Sequence, residues 1–172
     1  MRLETYKKPV DLAVGTICIV VMTSLVICVV WQVFSRWVLN APSTYTDELA
    51  RFSMIWVGLL GAAYTVGAQR HLSIDLAVAH LTGRKKRICT IYTNCGVLAF
   101  ASSAMVWGGW HLASRVLLSG QVSPAMQIPM AYVYTVLPLS GMIMSYYNLL
   151  FIVEAIVNFD KPDEIEVIEE QE

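Results

Sequence analysis

The chain has 172 residues, of which 56 % are hydrophobic and 15 % charged, and its formal net charge is −1. Charges this few, gathered at the ends of apolar runs, exclude a nucleic-acid-binding surface and point to a membrane protein. The composition predicts one all-α membrane domain over residues 1–159 and an acidic cytoplasmic tail over residues 160–172, expected to be mobile.

Four stretches, residues 12–35, 52–69, 88–112 and 128–153, contain no Asp, Glu, Lys or Arg. A helix crosses a hydrocarbon core of about 30 Å with roughly 17 to 25 residues, so each stretch predicts a transmembrane helix. The basic segment before the first stretch has the look of a secretory signal. A signal's apolar region spans roughly 7 to 15 residues, however, and this one is longer, so a retained first helix is expected. It should run from about Asp11 to Trp37 and stop at Asn40, Ala41 and Pro42, because the residue before a proline resists helical geometry.

The second helix is expected to restart at Thr44, with Thr44 capping the backbone and Asp47 reaching back to it. Asp47 and Glu48 also sit at the positive helix end, which favours acidic groups. The helix should end near Gly67. Residues 72–81 mix Leu72, Ile74, Leu76, Val78 and Leu81 with Ser73, Asp75 and His80. That pattern is too short and too polar to cross and predicts a short helix lying in the cytoplasmic interface. Arg70, His71 and Asp75 are read as fixing this inner connection. Arg84, Lys85, Lys86 and Arg87 then form a basic cluster suited to anionic lipid at the inner leaflet.

The third helix should run from Ile88 to about Leu118, with Ala104, Gly108 and Gly109 permitting close helix approach. Its outer loop is bracketed by Gly120, Pro124 and Pro129, and Pro129 suits the first turn of a fourth helix. Pro138 inside that helix removes a backbone bond near Tyr134 and should kink it.

Four crossings put both termini on one side. Arg2, Lys7, Lys8, Arg70, the cluster from Arg84 to Arg87, and Lys161 collect there, whereas only Arg36, Arg51 and Arg115 lie opposite. Cytoplasmic flanks carry the excess of Lys and Arg, so both ends are expected inside. Trp31, Trp37, Trp107, Trp110, Tyr132 and Tyr134 fall toward the outer ends of their helices, as an interfacial aromatic belt would.

Pathways and catalytic centres in a membrane need ionisable groups within a span, where an isolated charge costs on the order of 2.5 to 3.5 kcal/mol on insertion scales. These spans carry none. Asp11 and Glu154 border the cytoplasmic ends of the first and fourth spans without a histidine beside them, so no enzyme is expected. His71 and His80 lie in the inner connection and His111 near the opposite end, which fits neither haem nor metal, and no cofactor is expected. Cys18, Cys28, Cys89 and Cys95 lack clustered metal-ligand spacing and read as small buried hydrophobes.

At the first outer connection, Glu48 and Arg51 are spaced to pair, with Arg36 within reach from the first helix. This group is either a structural clasp of the hairpin or part of a docking surface. The candidate docking rim comprises Arg36, Asp47, Glu48, Arg51, Arg115, Gln121 and Ser123. Candidates for packing against a partner subunit are Trp56, Gly58, Gly61, Ala62, Gly108 and Pro138, which would serve equally within the four helices.

The run Asp47-Glu48-Leu49-Ala50-Arg51, then Trp56, Leu60-Gly61-Ala62-Ala63 and Arg70-His71-Leu72-Ser73-Ile74-Asp75, resembles the small integral membrane subunit of TRAP transporters, the DctQ-like family. So do the ten residues from Gly120 through Gln121, Ser123 and Pro124 to Pro129, with Tyr132 and Pro138 beyond them. The resemblance implies a bacterial inner-membrane helper in a tripartite system. A periplasmic binding protein captures an organic acid, and a large membrane subunit moves it inward with sodium. The small subunit would pack on the large one and widen the platform for the binding protein. A C4-dicarboxylate, a sialic acid or another sugar acid would all suit such a system. The alternative from the residues alone is a stand-alone four-helix exporter or channel.

Overall fold

The computed structural model describes residues 3–68 and 84–157. Helix α1 spans Leu3–Trp37 and α2 spans Thr44–Gly67. The third span is composite: α3 over Arg84–Phe100, a π-helical stretch over Ala101–Gly108, and α4 over Gly109–Leu118. The fourth is split into α5, Met130–Tyr134, and α6, Val136–Val157. All four are long and apolar enough to cross a membrane, so the fold is an all-α membrane protein with four candidate spans. The interfacial helix expected over 72–81, with Arg70, His71 and Asp75, and the tail over 160–172 lie outside the described residues.

The helices form a row rather than a closed bundle. α1 packs on α2, α2 on α6, and α6 on the third span, while neither α1 nor α2 brings a Cα atom within 8 Å of the third span. α1 meets α2 through one narrow seam, Val14, Cys18, Val21, Leu25, Cys28, Gln32 and Ser35, each buried or half-buried. Alternating steps of four and three residues keep a seam facing one neighbour, as in a left-handed coiled coil. On its other sides α1 presents Leu12, Ile19, Ile27 and Val30, each more than 60 % exposed.

The core lies around α6. Lipid tails are as apolar as leucine, so spans associate through close packing and interhelical hydrogen bonds. A methyl group on Gly141 would stand 2.7 Å from Cβ of Met105, and one on Gly109 would stand 2.9 Å from the Pro138 ring. Both glycines let α6 approach the third span. On its other side the ring of Tyr147 lies over Gly67, leaving no room for a side chain there. Ala63, Val66, Ala101, Met105, Met144 and Phe151 close this core around Tyr147.

Several expectations are corrected. α1 starts at Leu3 and runs through Pro9 instead of starting at Asp11. The cap of α2 is Ser43, in extended conformation, and no side chain bonds the exposed amides, so the Thr44 and Asp47 capping pair does not form. Among the cysteines, Cys28 is buried and Cys95 exposed, and all four are free. Pro138 does interrupt the fourth span. It has no N–H to offer the carbonyl of Tyr134, and the helix breaks at Thr135, whose hydroxyl donates to the carbonyl of Tyr132 at 2.6 Å.

Candidate functional site

The end of the molecule opposite the termini is organised by one carboxylate. α1 closes with the amide of Val38 on the carbonyl of Phe34 and the amide of Ala41 on that of Ser35, and Asn40 takes a left-handed conformation with φ 49°. This tight turn delivers the chain directly into α2, whose first turn carries Asp47 and Glu48. Asp47 pairs with Arg51 at 2.8 Å, one helical turn on. Glu48 is rotated about 100° further round the helix and points elsewhere.

Its Oε2 accepts three hydrogen bonds from the loop between the third and fourth spans: Ser123 Oγ at 3.0 Å, the amide of Ala125 at 3.1 Å and the amide of Met126 at 2.7 Å. The loop is shaped for this. Gly120, at φ 66°, ends α4 in the left-handed conformation that glycine adopts without strain. A short bridge joins Val122 to Pro129, the amide of Ser123 donates to the carbonyl of Ile128 at 2.9 Å, and Gln127 turns the chain at φ 56°. Ser123 is fully buried, and its hydroxyl also accepts from the amide of Ile128 at 3.3 Å. Hydrogen bonds to an ionised acceptor are roughly twice as strong as neutral ones, so Glu48 ties α2 to the far loop with a strong, directional clamp.

The expected pairing of Glu48 with Arg51 is therefore corrected: Arg51 takes Asp47, and Glu48 takes backbone amides. Arg36 is exposed and lies with Gln32, Asp47 and Arg51 in a cleft of about 390 Å³ between the ends of α1 and α2. Arg115 is exposed in the last turn of α4. Gln121 is exposed, and its carbonyl accepts the amide of Met130 at 2.9 Å. Trp31, Trp37, Trp107, Trp110 and Tyr132 are all exposed near this end.

Among the packing candidates, Gly58 and Ala62 are exposed and Trp56 and Gly61 half-buried, and a methyl group on Gly58 or Gly61 would meet nothing within 4 Å. Gly58, Gly61 and Ala62 form, with Met54, a stripe of small and apolar residues on the open side of α2, whereas Trp56 lies across the helix on its packed side. Gly108 is also open, and its neighbour Gly109 makes the close approach. Pro138 is buried against Gly109, which makes it an interior contact rather than an outward one. The side chains of Arg84, Lys85, Lys86 and Arg87 lie outside the described residues.

Sequence reasoning missed the tie at the opposite end. Tyr147 Oη donates to Asp11 Oδ1 at 2.6 Å, joining α6 to the start of α1, and Lys7 Nζ stands 5.6 Å from the centroid of the Phe151 ring. A lone acid at the mouth of an apolar span was the available signal. His111 packs edge-on to Trp107 at 4.7 Å, and among the described residues no cluster of His, Cys, Asp or Glu is placed to hold a metal ion.

The DctQ component of tripartite ATP-independent periplasmic transporters matches residues 25–158, from the middle of α1 to the end of α6. A sialic acid TRAP transporter small permease protein of Vibrio cholerae is 26 % identical over 111 residues, covering 64 % of each chain. An isethionate TRAP transporter permease protein of Oleidesulfovibrio alaskensis is 30 % identical over 105 residues, 61 % of this chain and 16 % of that one. A C4-dicarboxylate TRAP transporter small permease protein of Rhodobacter capsulatus is 26 % identical over 102 residues, 59 % of this chain and 44 % of its own length. The chain thus spans less than two thirds of the length of each of these relatives. With a family match running through all four spans, the chain belongs to the DctQ components of tripartite ATP-independent periplasmic transporters.

Proposed function

We propose that this chain is a helper subunit that packs on a large membrane permease and presents a platform to a periplasmic binding protein during sodium-coupled uptake of an organic acid. The observation that carries this reading is the open row of helices in a member of the DctQ family: α1 packs mainly on α2, the third span packs on the fourth, and α2 leaves a small-residue stripe uncovered. Small residues of this kind let a second helix approach closely. The stripe of Gly58, Gly61 and Ala62 is the proposed contact with the large subunit.

The platform is the end held by Glu48. Glu48 and Ser123 fix the loop, and Arg115 and Gln121 stand exposed beside it as docking contacts. Charged rim contacts chiefly set encounter rate and its salt dependence. Counted along the sequence through four crossings, nine of the twelve Lys and Arg residues fall on the side of the termini, which supports an orientation with both ends in the cytoplasm and the platform in the periplasm. The relatives' names concern sialic acid, isethionate and C4-dicarboxylates, so the substrate class we assign is a small organic anion.

Co-purification of the tagged chain with a co-expressed large subunit, followed by uptake into liposomes with and without the binding protein and sodium, tests this. A stable complex that moves an organic acid only with all components present is expected. Transport by this chain alone would overturn the reading in favour of an exporter or channel.

A further inference from the structure

The cleft between the ends of α1 and α2 has a chemistry that the packing of the helices does not use. Arg36 and Arg51 line it with Asp47, so two positive charges face one negative charge and one positive charge is left over. Arg51 is committed to Asp47 at 2.8 Å, whereas Arg36 has no ion pair among the described residues. Gln32 forms part of the wall, and its amide nitrogen is buried with no acceptor among the described residues. The start of α2 opens into the same space through Ser43 and Thr44, where no side chain caps the amides. Among the described residues the cleft thus holds an unpaired cation, Arg36, and a buried donor, the Gln32 amide nitrogen.

The position narrows what can answer them. Trp37 and Val33, which also line the cleft, are 79 % and 56 % exposed, and both belong to the apolar surface of α1. A ligand seated there has polar groups within the cleft and hydrocarbon beside it. We propose that this cleft holds the phosphodiester of an anionic phospholipid from the adjacent leaflet, with its acyl chains running along α1. Guanidinium groups match phosphate oxygens with parallel N–H donors, and a phosphodiester carries the single negative charge that the cleft lacks. Arg36 is the principal contact, Arg51 the second, and the Trp37 ring lies at headgroup depth.

Native mass spectrometry of the full-length chain, titrated with phosphatidylglycerol in detergent, tests the site. One tightly held lipid is expected, with occupancy falling at least about tenfold in R36Q, the loss of one charged hydrogen bond. R36K should retain part of it, R51Q should fall in the same direction, and R115Q, with the same charge change outside the cleft, should bind as the unaltered chain does. Equal binding by all variants, or an equal loss in R115Q, would overturn the proposal. Displacement by millimolar inorganic phosphate would make the site one for free phosphate and overturn the lipid source. Unchanged lipid binding in R36Q with loss of uptake driven by the binding protein would assign the arginine to protein docking instead.

Discussion

The first and fourth spans are both long apolar helices, yet the structure buries 39 % of the fourth span's apolar segment and 11 % of the first's. The more apolar helix is the outer one. α1 is dominated by Ile, Val and Leu and packs on α2 through one seam, meeting α6 only near its start, whereas α6 carries Pro138, Ser140, Gly141 and Asn148 and packs on both sides. In water the greasiest helix would be the core. In lipid there is no gain in hiding leucine from leucine, and burial goes to the helix whose small residues let neighbours come close and whose polar groups find partners. Asn148 fits this rule, being buried while its amide donates to the carbonyl of Met144 at 2.8 Å.

The sharpest way to break the contrast is to fill a glycine on the core helix. Gly141→Leu would drive a side chain into Met105 and the backbone amide of Val106. Overpacking of a tight core costs about 1 to 3 kcal/mol, and a contact with backbone belongs at the upper end. Thermal unfolding in detergent should show a large drop in midpoint. Gly58→Leu adds the same bulk where nothing lies within 4 Å, and the isolated chain's stability should change by no more than about 0.5 kcal/mol. A similar loss in both variants would mean that the row of helices closes further than described. If Gly58→Leu leaves the chain stable but abolishes co-purification with the large subunit, the stripe on α2 is the contact.

The second effect concerns the clamp. Glu48→Ala leaves the Ser123 hydroxyl and the amides of Ala125 and Met126 without their acceptor, at a cost of about 2 kcal/mol. Hydrogen exchange of the loop amides should rise while those of α6 stay protected. Glu48→Gln keeps one acceptor oxygen and should lose less. Faster exchange across the whole chain would make the clamp part of the global core rather than a local tie.

What could be read from the sequence follows the same division. Four charge-free stretches announce four spans, and Pro138 announces the break at Thr135, because both are one-dimensional signals. Helix spacing pointed Glu48 at Arg51, but its partners lie 75 to 78 residues away and two of them are backbone amides, which no residue pattern displays. Gly108 and Gly109 differ by one position, about 100° around a regular helix, and the π-helical stretch that ends at Gly108 alters that phase. The row itself was not legible, since nothing in the composition of α1 says that it packs almost entirely on α2.

At the opposite end, Tyr147→Phe removes the bond to Asp11 and keeps the ring over Gly67. A hydrogen bond to a charged group contributes about 1.5 to 3 kcal/mol, and Asp11 recovers part of that because it is half-exposed to water. We expect a loss of about 1 kcal/mol, smaller than for Glu48→Ala, measured by the same thermal unfolding. Asp11→Asn should give a similar loss, and the double variant should add little to either single one, as expected of two ends of one bond.

The smallest effect should come from the pair that looks strongest on paper. Asp47 and Arg51 meet at 2.8 Å, but their side chains are 49 % and 74 % exposed. Water screens such a pair, and i,i+4 pairs on helix surfaces contribute roughly 0.3 to 0.5 kcal/mol. Arg51→Gln should therefore shift the unfolding midpoint by less than Gly141→Leu, Glu48→Ala or Tyr147→Phe, and raising the salt concentration should remove even that difference. A loss comparable to Glu48→Ala would mean that the pair is shielded in the intact membrane complex, as it would be if a lipid or a protein covered the cleft. The stability of this variant in detergent and in bilayers thus separates the contribution of the ion pair from that of whatever lies over it.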